Sequence, residues 1–354
     1  MGLDIRREFY ILYSQDHPEL SMAEVSIITG GTRDPVSVIH IEPGLVITRA
    51  KDLSGFAGYS ASYIKEAGEV LLRSHVYEGF HIYRKIKRLG SIMKHCGKID
   101  LRIYNLGRTR VNIDYPLFIR ELRRIVGNRG AKEDLVICPI TVIFGDIIVI
   151  GRPVIRRKIL RSEASRERGY MGEEDLGFIA NTALYLGNRG GVFYDPFCGY
   201  GGILARICER SQDLVVIGSD IDVRKVYSLR RAIAIKSDRC CLEVIVANAL
   251  WPPLRMASVS TIASDLPYGR RSRVVGEEIL KIPASFLRRA REILAEGSIV
   301  VLAISLDQLE PLINEIQREP GYNIVEIASQ YVHGSLTRVY LVLRYSYKEK
   351  INKI

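Results

Sequence analysis

The chain has 354 residues, 47% hydrophobic and 26% charged, enough for two or three domains that each bury a core. Its longest strongly apolar run, residues 299–306, is far too short to cross a bilayer. No charged-then-apolar leader pattern opens it, so a cytoplasmic protein without a membrane partner is expected. The net charge of +11 is unevenly placed: residues 84–168 hold 21 Lys and Arg against 8 Asp and Glu, whereas residues 171–354 hold 23 against 21. Such a concentrated positive field attracts a phosphate backbone by steering and counterion release, although a basic solvated face can also exist without a partner.

In chain order, residues 9–13 and 36–48 read as strands and 60–75 as a helix. Residues 80–88 alternate apolar and basic side chains, the pattern of a strand with one face toward a core and the other toward an anion. Residues 116–125 read as a helix and 135–150 as a strand pair around Gly145-Asp146. Residues 152–168, rich in Arg and poor in apolar content, read as an exposed linker. The six cysteines form no C-x-x-C pair and have no histidines at zinc spacing, so free buried thiols and no metal are expected.

The texture changes near residue 170. β-like runs at 191–197, 214–219, 242–247, 259–264 and 298–305 alternate with helical patterns at 202–210, 222–235, 277–295 and 308–317. Strands separated by crossover helices require a parallel sheet wound on both faces. Two closing runs, 324–332 and 338–345, are joined by only a few residues around His333-Gly334 and must be antiparallel to each other. The expected class is therefore α/β, with a seven-stranded, doubly wound, Rossmann-like sheet in the second half and an α+β region in the first.

Asp195-Pro196-Phe197-Cys198-Gly199-Tyr200-Gly201-Gly202 sits where the first strand of this sheet turns into a helix. Glycines there let the backbone approach a ligand and leave helix N-terminal amides free to donate. The rival dinucleotide fingerprint has Leu204 at its third glycine position. Asp195 would order the loop and face a cofactor amine. Asp220, ending the second strand, can accept both hydroxyls of a ribose, with Asp222 as the alternative or as a helix cap. Ile221 follows Asp220, and Asn248 with Ala249 after the third strand would meet an adenine edge.

Asp265-Leu266-Pro267-Tyr268 closes the fourth strand and resembles the (D/N)-P-P-(Y/F) motif of amino-methyltransferases that act on nucleobases. A guanine amino group is a poor nucleophile because its lone pair is delocalised into the ring. The Asp265 carboxylate and the Leu266 carbonyl could accept its two hydrogens and hold the nitrogen in line, and Tyr268 could stack on a flipped base. With 195–202, 265–272 and the His333-Gly334-Ser335-Leu336-Thr337-Arg338 stretch, the sequence resembles the archaeal tRNA guanosine-N2-methyltransferases that act at tRNA position 10, and their eukaryotic relatives.

That resemblance implies S-adenosyl-L-methionine as cofactor and tRNA as partner, in a monomer that a small activator subunit could assist. Asp195, Phe197, Gly199, Gly201, Gly202, Asp220, Ile221, Asn248 and Ala249 would hold the cofactor, and Asp265, Leu266, Pro267 and Tyr268 would be catalytic. It divides the chain into an α/β (ferredoxin-like) domain at 1–74, a THUMP-like RNA-binding domain at 75–155, a basic linker at 156–172 and the methyltransferase domain at 173–354. Leu266 departs from the motif's first proline, Asn248 stands where an aspartate is common, and the segment around Asn181 lacks much of the family pattern. A sister enzyme acting at tRNA position 6 shares nearly the same motifs, and the sequence does not settle the position; an inactive tRNA-binding protein is opposed by the intact Asp265, Tyr268 and glycine loop.

Overall fold

The computed structural model describes residues 7–30, 36–51, 62–76, 81–93, 96–107, 114–127, 136–156, 171–187, 190–211, 214–236, 240–268, 277–318, 321–334 and 336–346. In chain order the first half forms β1 (Arg7–Tyr13), α1 (Pro18–Gly30), β2 (Ser37–Glu42), β3 (Leu45–Ala50), β4 (Ile64–His75), α2 (His81–Ile92), β5 (Cys96–Asn105), α3 (Tyr115–Gly127), β6 (Val136–Phe144) and β7 (Ile147–Arg156). Its strands make one sheet of order β2-β3-β1-β4-β7-β6-β5, antiparallel except for the β5–β6 pair.

Two local expectations fail here for physical reasons. Residues 64–75 are a strand although they carry helix-favouring Lys, Glu, Ala and Leu, because β4 lies between β1 and β7 and is paired along both edges. Conversely, residues 81–88 of the apparent strand at 80–88 fall in the helix α2, and residue 80 lies outside the described residues. Ile82, Ile86 and Leu89, each 1% exposed, recur at helical spacing and pack with Phe118 and Leu122 of α3. The alternation seen in sequence was the edge of that apolar stripe.

The boundary expected at residue 74 falls inside β4, a central strand of this single sheet. The chain divides instead into two interleaved compact units. One holds Met1–Pro18, Thr32–Ala57 and Ile64–Arg157; the other holds Glu19–Gly31, Gly58–Tyr63 and Lys158–Ile354. The basic linker expected at 156–172 lies largely outside the described residues.

The second unit adds α4 (Glu173–Leu186), β8 (Gly191–Asp195), α5 (Gly202–Arg210), β9 (Leu214–Asp220), α6 (Val223–Lys236), β10 (Cys241–Val246), β11 (Val259–Asp265), α7 (Glu277–Ile293), β12 (Leu294–Ser305), α8 (Leu309–Arg318), β13 (Tyr322–His333) and β14 (Leu336–Tyr345). The sheet order is β10-β9-β8-β11-β12-β14-β13. Its first five strands are parallel, and β14 runs antiparallel between β12 and β13. One face of the sheet buries Phe193, Val216, Val301 and Tyr340, and the other buries Ile262, Val300, Leu302 and Leu341 beneath α7 and α8.

Helix α1 belongs to this core. Leu20, Ala23 and Ile27 join the cluster of Phe178, Tyr340 and Val342, together with Tyr63. The buried Glu24 carboxylate accepts the Ser62 and Tyr63 amides at 2.9 and 2.7 Å, which seats the 62–63 segment beside α4. Gly177 permits that approach, since a Cβ there would lie 2.3 Å from Ser62 Oγ.

Four of the six cysteines are paired, contrary to the expected free thiols. Cys96 and Cys138 bridge the parallel neighbours β5 and β6, and Cys208 of α5 joins Cys240 just before β10. Their Cα separations of 5.6 and 5.4 Å lie in the range a disulfide requires. Cys198 and Cys241 are free. Among the described residues no helix is long and apolar enough to cross a membrane, and no cluster of ligating side chains could hold a metal.

Candidate active site

In a doubly wound sheet the ligand crevice opens at the carboxyl ends of the strands where the order reverses, here between β8 and β11. The sequence-selected carboxylates end three adjacent strands: Asp195 on β8, Asp220 on β9 and Asp265 on β11.

The glycine loop is held down by its neighbours. Cys198 N donates to Ser219 O at 2.8 Å, Gly199 N to Asp220 Oδ2 at 3.0 Å, and Gly201 N to Cys198 O at 2.7 Å. Gly201 is the N-cap of α5 at φ 83°, a left-handed conformation disfavoured for side-chain-bearing residues, and its absent Cβ would meet Leu229 at 2.6 Å. Helix α5 therefore begins immediately after the bend, with its first amides directed at the crevice. Phe197 stacks edge-on against Phe286, with ring centroids 5.6 Å apart, so this position offers the site mainly its backbone.

Asp195 is 1% exposed and accepts from Ser264 Oγ at 2.6 Å and Phe197 N at 3.2 Å, tying β8 to β11. Burial pushes its pKa up to about 7; these two hydrogen bonds pull it back, while the charges of Asp265 and Asp220 push it further up. Asp220 accepts the Gly199 and Asp222 amides and lies 3.6 Å from Lys225 Nζ. Asp222 caps α6, accepting Arg224 N at 3.0 Å.

Ile221, beside Asp220, is 67% exposed. Asn248 is exposed but spends its Oδ1 on Leu250 N at 3.0 Å, while Ala249 is buried in the core beneath α7. The Ala249 side chain thus shapes this wall from behind.

The 265–268 motif is braced at every residue. Leu266, 1% exposed, donates its N–H to Ala303 O at 2.9 Å. The Pro267 carbonyl accepts Gln308 Nε2 at 2.8 Å, and the same amide reaches Ile279 O at 2.9 Å. This clamp supplies rigidity where the motif's first proline is missing. Tyr268 Oη donates toward Asp265 Oδ2 at 3.5 Å and accepts from Arg338 at 2.9 Å. Asp265 Oδ1 is buried and has no hydrogen-bond partner among the described residues. Burial pushes the Asp265 pKa up to about 6, with Arg338 and Tyr268 lowering it and Asp175 raising it.

Gln308, Ser264 and Asp175 were not singled out from the sequence. Ser264 lies next to the motif, but nothing local marks Gln308 or Asp175. Arg338, left open as a phosphate contact or a buried partner, is 5% exposed and therefore buried. His333 is exposed on the β13–β14 hairpin. Residues 269–272, part of the sequence resemblance, lie outside the described residues.

These residues fit S-adenosyl-L-methionine: a glycine bend opening a helix and a buried carboxylate ending the second strand. The fold and site define a class I S-adenosylmethionine-dependent methyltransferase. The family model described as "UPF0020: RMKL-like, methyltransferase domain" matches residues 184–339. The tRNA (guanine(10)-N2)-dimethyltransferase of Methanothermobacter thermautotrophicus is 30% identical, over 95% of this chain and 99% of its own. A human U6 snRNA (guanine-N(2))-methyltransferase, THUMPD2, is 26% identical over 45% of this chain and 30% of its own.

Two solved structures share the fold along nearly the whole chain. TrmN from Thermus thermophilus has 16% identity and a TM-score of 0.53, covering 96% of this chain and 99% of that one. SMU.472, a methyltransferase complexed with S-adenosylhomocysteine, has 11% identity and a TM-score of 0.52, covering 97% and 99%. The chain belongs to the UPF0020/THUMP family of guanosine-N2-methyltransferases.

Proposed function

We propose that the protein methylates the exocyclic N2 of the guanosine at position 10 of tRNA. The observation that carries this reading is Asp265 Oδ1, a buried acceptor at the carboxyl end of β11 without a hydrogen-bond partner among the described residues. A substrate N–H satisfies such an atom, and leaving it unpaired is costly. The near full-length relative named for guanine 10 supports the tRNA position.

S-adenosyl-L-methionine, when bound, supplies the electrophilic methyl group. Asp195, Gly199, Gly201, Gly202 and Asp220 hold it, with Phe197, Ile221, Asn248 and Ala249 forming the surrounding wall. Asp265 and the Leu266 carbonyl accept the two amino hydrogens, which fixes the nitrogen lone pair along the line of transfer. Once nitrogen gains the methyl group it must lose a proton, and Asp265, ionised at neutral pH, lies within reach to take it. Pro267 shapes the turn, and Tyr268 stacks on the extruded base.

In the first unit, α2 exposes Arg84, Lys87 and Arg88 and α3 exposes Arg120, Arg123 and Arg124, while Lys85 instead donates to Ser74 Oγ at 3.2 Å. These six cations form the surface assigned to the RNA backbone. Incubating the full chain with a tRNA transcript and cofactor, followed by nucleoside mass spectrometry and mapping, tests the reading. One or two methyl groups on N2 of guanosine 10 are expected; modification at position 6, or none on N2, overturns it.

A further inference from the structure

Buried polar groups beside the site converge on Arg338. Its Nη1 donates to Asp175 Oδ2 at 2.8 Å and to Gln330 Oε1 at 3.3 Å, while its Nη2 and Nε reach Tyr268 Oη at 2.9 and 3.3 Å. Asp175, on α4, also accepts from Gln330 Nε2 at 3.1 Å and from the phenol of Tyr63. The guanidinium thus bridges a buried carboxylate on one side and the substrate-facing tyrosine on the other. The fixed planar fork of arginine suits such a bridge better than the mobile ammonium of lysine.

A buried ion pair is weak evidence for stability, because desolvating both charges offsets much of their attraction. Its geometry is more informative. A phenol has one hydrogen to donate, and Tyr268 receives N–H groups from Arg338 on its lone-pair side. That hydrogen is thereby turned toward Asp265 Oδ2, 3.5 Å away, which leaves Oδ1 as the open acceptor. Arg338 also supplies the nearby positive charge that opposes the effect of burial on Asp265.

We infer that Arg338, held by Asp175 and Tyr63, is a positioning residue that orients Tyr268 and places the counter-charge of Asp265, reserving one carboxylate oxygen for the acceptor amine. The inference rests on the proposed reaction for its catalytic meaning. The network itself can be read without turnover. Asp265 is faced by Tyr268 beyond its own strand, by Arg338 and Tyr340 on β14, by Asp175 on α4, and by Asp195 on β8. Among these groups Arg338 is the cation.

The test is a carboxyl-¹³C aspartate NMR titration of the full chain, with Asp265 assigned through Asp265→Asn. In Arg338→Met the Asp265 titration should move up by about one pH unit, whereas Arg338→Lys should hold it near the wild-type position. Tyr268→Phe, which removes the bridge but leaves the Arg338–Asp175 pair, should move it up by less. S-adenosylhomocysteine binding checks that each variant is folded. In methylation assays Arg338→Met should lower kcat about 30-fold and shift the acidic limb of the kcat profile with the NMR midpoint. KM for the cofactor should be unchanged.

A folded Arg338→Met protein whose Asp265 titrates as in wild type overturns the inference, whatever RNA the enzyme modifies. The same holds if Tyr268→Phe is the folded variant and its titration is unmoved. If the variants show these NMR shifts but the wild-type protein makes no N2-methylguanosine, the proposed reaction is overturned and the network stands.

Discussion

The two sheets contain the same number of strands but assemble them differently. In the catalytic sheet the first five strands are parallel and separated by crossover helices, so each step is written in a short local stretch of sequence. In the first unit, β4 finds β1 on one side and β7 on the other, strands that lie far from it along the chain. The difference extends to chemistry. The catalytic sheet gathers buried carboxylates at strand ends, whereas the first unit's helices carry cations outward. Precise alignment needs side chains excluded from water, while contact with a phosphate chain needs charge exposed to it.

Substitutions should separate these roles. The largest effect is expected for Asp265→Ala, which should slow methyl transfer about a thousandfold, equivalent to about 4 kcal/mol, while S-adenosylhomocysteine still binds. Calorimetry beside single-turnover kinetics checks both halves of that statement; near-wild-type turnover would remove Asp265 from the mechanism. Asp220→Ala should weaken cofactor binding about ten- to a hundredfold with RNA affinity little changed. Loss of RNA binding instead would mean that the cofactor is held elsewhere.

On the exposed side, reversing charge at Arg84, Lys87 and Arg88 together should weaken tRNA binding about tenfold at moderate salt. It should also flatten the log–log salt dependence, with cofactor affinity intact. Filter binding across a salt series measures it, and an unchanged slope would place the RNA elsewhere.

The smallest effect is on stability, and its sign is the informative part. Asp195 and Asp265 have folded-state pKa values of about 7 and about 6, both above those of an exposed carboxyl. The folded state therefore binds protons more tightly than the unfolded chain. Their contribution to stability is present at acidic pH and is lost as pH rises through 6 and 7. The proposed reaction needs the ionised Asp265, so between pH 7 and 5 turnover should fall while these two groups favour folding. Melting curves of wild type and Asp195→Asn should show a difference that changes between about pH 4 and 7 and levels off above 7, with the variant the less sensitive to pH.

The catalytic sheet was legible in sequence almost strand for strand, because β-like runs alternating with helical ones leave little topological choice. The cofactor loop and the 265–268 motif were legible because they are contiguous. What supports them was not: Gln308 reaches Pro267 across 41 residues, and Asp175 reaches Arg338 across 163. No local pattern records such a pairing. In the first unit, local composition misled at 60–75 and 80–88, where neighbouring strands and the apolar stripe of α2 decided the outcome. The cysteine pairs escaped for the same reason, at separations of 42 and 32 residues.

Helix α1 sets a constraint on how this chain can be made. Its Glu19 accepts the backbone amide of Ser329 at 3.1 Å, across 310 residues. At translation rates of about 5–20 residues per second, the helix is finished roughly 15–60 s before its partner strand exists. Through that interval Leu20, Ala23 and Ile27 lack the Tyr340 and Val342 side of their core, and the contiguous stretch that builds the methyltransferase sheet does not fill that core by itself. Cutting the gene at residue 170 would leave α1 and Tyr63 in one fragment and the core they fill in the other. The two units are therefore a single inheritance, unable to be exchanged as cassettes.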